Sequence, residues 1–164
     1  MIDLGAKNCC ICKKYENTQK ECINEFTIIE QGKSVKLEPK TGEKVMAIIL
    51  DNCVITSDGK KCDAFFLYQN SKDVKYSFLV ELKGAGDIPK AFEQLSYTKN
   101  SRVEYQNIIN ELQINKSNQK FVIVSNGTLP KTELENFENQ YGIRVKKILY
   151  SEATTPIPDL KDTL

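Results

Sequence analysis

Two stretches of the sequence place acidic and basic side chains where a pair of strands would bring them together. Residues 78–83 form an apolar run that ends in Glu-Leu-Lys, which predicts a strand. Side chains alternate along a strand, so Glu81 and Lys83 share one face. Asp63 precedes a second apolar run, and a hairpin turn centred on Lys72 would place Asp63 opposite Glu81. The sequence therefore predicts that Asp63, Glu81 and Lys83 converge on one face.

This trio has a chemical use. The carboxylates of Asp63 and Glu81, together with the backbone carbonyl of Leu82, offer the hard oxygen ligands that Mg²⁺ prefers, and leave coordination positions for water and a phosphate. The ammonium of Lys83 can orient the attacking water and offset negative charge on the phosphate in the transition state.

The ordered combination resembles the signature of the PD-(D/E)XK nuclease superfamily. The pieces are Cys62-Asp63, then Glu81-Leu82-Lys83, then Gln94-Leu95-Ser96-Tyr97 on the expected following helix, and the last is similar to the Gln-x-x-Tyr element of RecB-like members. Cys62 stands where the family name has Pro. The resemblance covers roughly residues 44–125.

The resemblance implies a Mg²⁺- or Mn²⁺-dependent phosphodiesterase that cleaves nucleic acid, most often DNA. Asp63, Glu81 and the carbonyl of Leu82 would hold the metal, and Lys83 would position water. The alternative is a catalytically silent module that keeps the fold for binding protein or nucleic acid. Glu43 and Asp51 are reserve acidic candidates.

The helix expected after Gly84-Ala85-Gly86 carries a further group of candidates. At 100° per residue, Lys90, Gln94 and Tyr97 fall on one side of this helix. We expect them to border the site and contact the substrate.

Composition limits the alternatives. A chain of 164 residues suits one domain, and its net charge of +1 gives no global basic field. Any affinity for nucleic acid must then come from a local basic patch, from metal at the site, from a homodimer or from a partner protein. The absence of histidine excludes Ser-His and Cys-His nucleophiles and His-ligated metals. With no apolar run of membrane-spanning length and no signal-peptide layout, we expect a cytoplasmic protein without membrane association.

Residues 1–30 form a Cys-rich segment. Cys9 and Cys12 have the spacing of a zinc knuckle, and Cys10 or Cys22 could add a third thiolate. The usual second C-x-x-C is missing. We therefore favour reduced thiols packed as small apolar groups over structural Zn²⁺ or disulfides.

The remaining patterns predict an α/β (α+β) fold, namely a restriction-endonuclease-like mixed β-sheet core flanked by helices. The order is αβββαβ plus an extra αβ, with residues 17–25 as the only candidate for the first helix and its absence as the alternative. We expect a nuclease-like domain over residues 31–150 and a flexible tail over residues 151–164. The first elements expected along the chain are strands at 25–30 and 34–37, then one strand, or two with a bend, over 44–55, and the hairpin that carries the site. After them we expect helices at 87–97 and 103–114, a strand at 120–125, a helix ending at Gly142, and a strand at 143–150.

Overall fold

The computed structural model describes all 164 residues and shows a mixed α/β fold with two sheets. The smaller, antiparallel sheet consists of β1 (Cys22–Asn24), β2 (Thr27–Glu30) and β3 (Lys33–Lys36). The larger sheet consists of β4 (Lys44–Ile49), β5 (Ala64–Gln69), β6 (Lys75–Lys83), β7 (Gln119–Ser125) and β8 (Ile148–Tyr150). The helices are α1 (Ile88–Ser101), α2 (Val103–Leu112) and α3 (Lys131–Tyr141). None of these helices has the length and apolar content needed to cross a bilayer.

The five strands of the larger sheet lie in the order β4-β5-β6-β7-β8. Strands β4, β5 and β6 are antiparallel neighbours, whereas β6, β7 and β8 run parallel. Helices α1 and α2 connect β6 to β7, and α3 connects β7 to β8, as parallel neighbours require. The first residues of β5 therefore lie beside the last residues of β6, and β7 ends on the same side of the sheet.

The core centres on β5 and β6, where consecutive side chains are buried on both faces. Helix α1 and strand β3 both pack on β6 and β7, which explains why these strands read as continuous apolar runs rather than alternating ones. The predicted buried face of α1 is confirmed, since Ile88, Ala91, Phe92 and Leu95 are inaccessible to solvent. The ring of Phe92 stacks on Phe137 of α3 with a centroid distance of 5.3 Å.

Three expected elements differ from the sequence prediction. Residues 17–25 form no helix; they contain irregular chain followed by β1, and the antiparallel pairing with β2 competes successfully with a weak helical pattern. The strand expected over 44–55 ends at Ile49, because the chain turns there and Ile55 N–H donates to Leu50 O at 2.9 Å. The last strand is confined to Ile148–Tyr150.

The expected segment boundaries are also wrong. A boundary after residue 30 would separate β2 from β3, which are hydrogen-bonded to each other. Residues 151–164 are not a loose tail: Lys36 N–H donates to Pro158 O at 3.0 Å, Leu160 is fully buried, and Lys161 forms an ion pair with Glu43. Both terminal segments are part of one packed body.

Four of the six cysteines form disulfides, so the expectation of reduced thiols is wrong for these four. The pairs are Cys10–Cys53 and Cys12–Cys22, with Cα atoms 5.6 and 5.5 Å apart, whereas Cys9 and Cys62 are free. The sulfurs of Cys9, Cys10 and Cys53 all lie within 4.8 Å of one another. A thiolate metal site would thus draw on these three after reduction, rather than on Cys9 and Cys12.

Candidate active site

The structure brings Asp63, Glu81 and Lys83 together at the edge where β5 begins and β6 ends. Ala64 pairs with Val80, so the same register carried one step further sets Asp63 opposite Glu81. The backbone N–H of Asp63 donates to Glu81 Oε2 at 3.2 Å. Lys83 Nζ lies 3.1 Å from Glu81 Oε1. The predicted convergence of the three side chains is present.

Leu82 joins the same group through its backbone. Its N–H donates to Asp63 Oδ2 at 2.8 Å. The N–H and C=O of one residue point to the same side of an extended strand, so the Leu82 carbonyl is also directed towards Asp63. Asp63 thus meets both Glu81 and the backbone of Leu82 through hydrogen bonds.

Burial dominates the protonation of this group. Glu81 is inaccessible to solvent, and burial, followed by the charge of Asp63, raises its pKa well above the ordinary value. Burial raises the pKa of Asp63 to about 7, against the opposing effects of the Leu82 N–H and of Lys83. Burial alone would lower the pKa of Lys83, but attraction to Glu81 and Asp63 outweighs it and leaves that pKa above the ordinary value.

Two buried carboxylate oxygens form no well-aligned hydrogen bond, although each faces a lysine. They are Glu81 Oε1, 3.1 Å from Lys83 Nζ, and Asp51 Oδ1, 3.4 Å from Lys61 Nζ. A buried carboxylate is costly unless cations and donors compensate it, and each of these has one lysine to do so. Hard oxygen atoms of this kind fit Mg²⁺ or Mn²⁺.

A cavity of about 310 Å³ opens beside Asp63 and collects further acidic groups. Its charged lining consists of Lys20, Glu21, Glu30, Asp51 and Asp63. Burial, and then the charge of Glu21, raises the pKa of Glu30. The cavity is acidic, and Asp63 is the member of the trio that lines it.

Sequence reasoning missed Glu30, since it lies in β2, outside the region that carries the motifs, and only the folding of the small sheet brings it close. Of the two reserve acids, Asp51 lines the cavity. Glu43 does not line it. This residue directly precedes β4, at the end of the strand away from the cavity, and pairs with Tyr68 and Lys161.

Gln94 contacts the protein rather than an open surface. Its Nε2 donates to the carbonyl of Lys61 at 3.1 Å, and one turn later Thr98 Oγ1 accepts from the N–H of Cys62 at 3.0 Å. Helix α1 thus holds the two residues that precede Asp63. This contact lets Gln94 position the chain before Asp63, and its expected contact with substrate stays a prediction.

The other two candidates on α1 remain at the surface. Lys90 is 71% exposed and lies 3.2 Å from Asp87, while Tyr97 is 43% exposed, with Arg102 5.5 Å from its ring centroid. Neither forms a hydrogen bond with Asp63, Glu81 or Lys83.

Comparison of the chain with models of known protein families, with curated proteins and with solved structures returned no match.

Proposed function

We propose that the protein is a Mg²⁺-dependent nuclease with a restriction-endonuclease-like fold and that its substrate is DNA. The observation that carries this proposal is the meeting of two carboxylates and one ammonium at adjoining strand ends, with Asp63 N–H 3.2 Å from Glu81 Oε2 and Lys83 3.1 Å from Glu81 Oε1. The mixed sheet, with α1 following the Glu81-Leu82-Lys83 strand, supports the same proposal.

Each residue has a role in this proposal. Asp63, Glu81 and the carbonyl of Leu82 would hold the cation, which would supply a lowered pKa for bound water and polarisation of a phosphoryl oxygen. Asp63 and Glu81 must be deprotonated to do so, and Lys83 favours that state because its charge lies beside both.

Lys83 has a second role towards the substrate. Its side chain is 25% exposed, so the ammonium reaches the solvent side of the fully buried Glu81. From there it orients the attacking water and offsets the charge that develops on the phosphate. Lys83 is thus the catalytic cation and not a metal ligand.

The decisive experiment is a digestion panel with Lys83→Ala. Linear, circular, single-stranded and structured nucleic acids are incubated with Mg²⁺ or Mn²⁺. We expect Lys83→Ala to lower the cleavage rate about 10²-fold or more, because one electrostatic contact in the transition state is lost. Lys40→Ala, which removes an exposed lysine outside the site, should cleave at the wild-type rate.

Calorimetric titration of Mn²⁺ separates chemistry from metal binding. At a pH high enough to ionise both carboxyls, Lys83→Ala should still bind Mn²⁺, whereas the near-isosteric Glu81→Gln should lose both Mn²⁺ and cleavage. Equal cleavage rates for Lys83→Ala and the wild type would show that Lys83 is not a catalytic residue. A wild type that cleaves nothing across the panel would favour the binding-module alternative.

A further inference from the structure

A second cavity, at the opposite end of β7, is lined by basic residues. It measures about 360 Å³, and its charged lining consists of Lys99, Lys116, Lys120, Arg144 and Lys146, with no Asp or Glu. We call it the basic pocket. Five of the 23 basic residues of a chain with a net charge of +1 therefore gather in one concavity.

These cations keep free hydrogen-bond donors. Lys99 Nζ lies 3.5 Å from Gly142 O, Lys120 Nζ lies 2.8 Å from Ser117 O, and Lys146 Nζ lies 3.0 Å from Leu164 O, so each meets one main-chain oxygen and no Asp or Glu side chain. An ammonium has three N–H groups, and at least two remain for a ligand. Arg144 is 85% exposed, with its NH1 3.6 Å from Glu138 Oε2.

Grouped cations of this kind repel one another, and an anion with several charges relieves that repulsion. A single carboxylate or phosphate would meet only one or two of the five. The half-buried ring of Phe121 also lines the pocket, and Lys99 Nζ lies over this ring, 5.3 Å from its centroid. Phosphates in a row are a feature of a nucleic-acid strand.

We propose that the basic pocket binds the phosphate backbone of a nucleic-acid strand, away from the residues that cut it. The choice of nucleic acid over other polyanions rests on the proposed nuclease function. In the β6–β7 register, Gln119 at the pocket pairs with Ser77, and Ser125 pairs with Lys83. Six residues of strand separate the two sites by roughly 20 Å, about six nucleotides of a duplex strand at ~3.4 Å each.

The test measures binding without cleavage. A fluorescently labelled single-stranded oligodeoxynucleotide of about 20 residues is titrated with the full chain in EDTA, and binding is followed by anisotropy. We expect Lys116→Glu and Lys120→Glu each to weaken binding roughly tenfold and to reduce the salt slope by about 1. Lys40→Glu is the matched control, because Lys40 is exposed and lies among Glu38, Asp159 and Asp162.

Circular dichroism checks that each variant is folded, and Lys116→Gln, at an exposed position, provides a milder neutralisation with the same expected direction. Wild-type affinity in both pocket variants, or losses no larger than that of Lys40→Glu, would overturn the proposal. Equally tight binding of a mononucleoside triphosphate would overturn the assignment to a strand.

Because EDTA removes the metal, the result is independent of the nuclease proposal. A protein that binds through the pocket but never cleaves would disprove the nuclease activity alone. A protein that cleaves, while its pocket variants bind normally, would disprove the pocket alone.

Discussion

At the scale of single residues, Asp63 and Glu81 lower the stability of the metal-free protein. Glu81 is fully buried and Asp63 is half-buried beside the acidic cavity, so the charged form of each is poorly solvated, and Lys83 compensates only part of this cost. A purely structural pair of strands would fill these positions with apolar side chains. Their presence is what makes the edge of the sheet a functional candidate.

The first prediction concerns Asp63→Asn. In the folded state the pKa of Asp63 is about 7, against an ordinary value of 3.8. Between these values the folded protein keeps a proton that the unfolded chain has lost, so stability falls as pH rises through this window. Above pH 7 the stability lost through Asp63 reaches roughly 4 kcal/mol. This is the largest gain in the free energy of unfolding that Asp63→Asn can give.

Urea unfolding of the metal-free protein at pH 8 and pH 4 measures the effect. Asp63→Asn should exceed the wild type in stability at pH 8, and the gain should largely vanish at pH 4. Asp58→Asn, at an exposed position, is the control. Equal stability of Asp63→Asn and wild type at pH 8 would show that Asp63 is solvated and not held in a buried site.

At the scale of elements, local pattern and long-range contact contribute differently. The buried face of α1 and the Asp63–Glu81 register follow from periodicity and from turn position, which are readable in short windows. The packing of residues 151–164 depends on contacts such as Ser34 N–H to Ser151 Oγ, 117 residues apart. No local pattern encodes such a contact, and the same holds for the approach of Glu30 to the site.

The disulfide pairing shows this limit as well. Cys10 bonds to Cys53 across 43 residues, and the C-x-x-C spacing of Cys9 and Cys12 gives no indication of it. Which cysteines meet depends on how the N-terminal segment lies alongside β4, where Ile11 forms an antiparallel bridge with Ile48 and Cys12 N–H donates to Ala47 O at 2.8 Å.

The second prediction tests the role of α1 through Gln94→Leu. Loss of the 3.1 Å bond to Lys61 O frees the segment before Asp63, so the Mn²⁺ affinity should fall roughly tenfold. Tyr97→Ala, on the same helix but exposed, should leave it unchanged. Calorimetric titration of Mn²⁺ without nucleic acid gives the answer. Normal Mn²⁺ affinity together with weakened nucleic-acid binding would show that Gln94 binds substrate rather than positioning Asp63.

The third prediction concerns the loops that follow β6 and β7. A Cβ at Gly127 would lie 2.6 Å from Ala85 Cβ and 2.7 Å from Ala85 Cα, and Asn126 Oδ1 accepts from the N–H of Ala85 at 3.0 Å. Gly127→Ala must therefore push the loop after Lys83, and should lower the free energy of unfolding by about 1–3 kcal/mol. Urea denaturation measures this.

Gly86 provides the control for that experiment, because a Cβ there meets no atom within 4 Å. Gly86→Ala should unfold at the wild-type urea concentration. Similar losses in both variants would point to backbone freedom in the loop rather than to the contact with Ala85.

At the scale of the whole molecule, charge is separated along the sheet. The acidic cavity beside Asp63 lies where β6 and β7 end, and the basic pocket lies where β7 begins. A near-zero net charge thus hides two opposite local fields. A polyanion would be attracted to the basic pocket and repelled from the acidic cavity unless cations occupy it. Metal and nucleic acid should then bind cooperatively.

The chain ends also act at this scale. Lys161, in the C-terminal segment, pairs with Glu43 before β4, and Tyr68 of β5 donates to the same carboxylate at 2.6 Å. These two hydrogen bonds, that from Lys161 being the larger effect, lower the pKa of Glu43 to about 2. Glu43 therefore fastens residues 151–164 to the two strands that precede the site.

The fourth prediction follows from that pKa. The ordinary value is 4.5, so the stabilisation by Glu43 is fully present above pH 4.5 and is lost as pH falls towards 2. Glu43→Gln should be less stable than the wild type at pH 7, and the two should converge near pH 2. Glu38→Gln, at a more exposed carboxylate paired with Lys36, should cost less at pH 7. Hydrogen exchange should show residues 159–163 losing protection first in Glu43→Gln, since Lys161 is the link that breaks. Unchanged protection there would mean that burial of Leu160, and not the ion pair, holds the C-terminal segment in place.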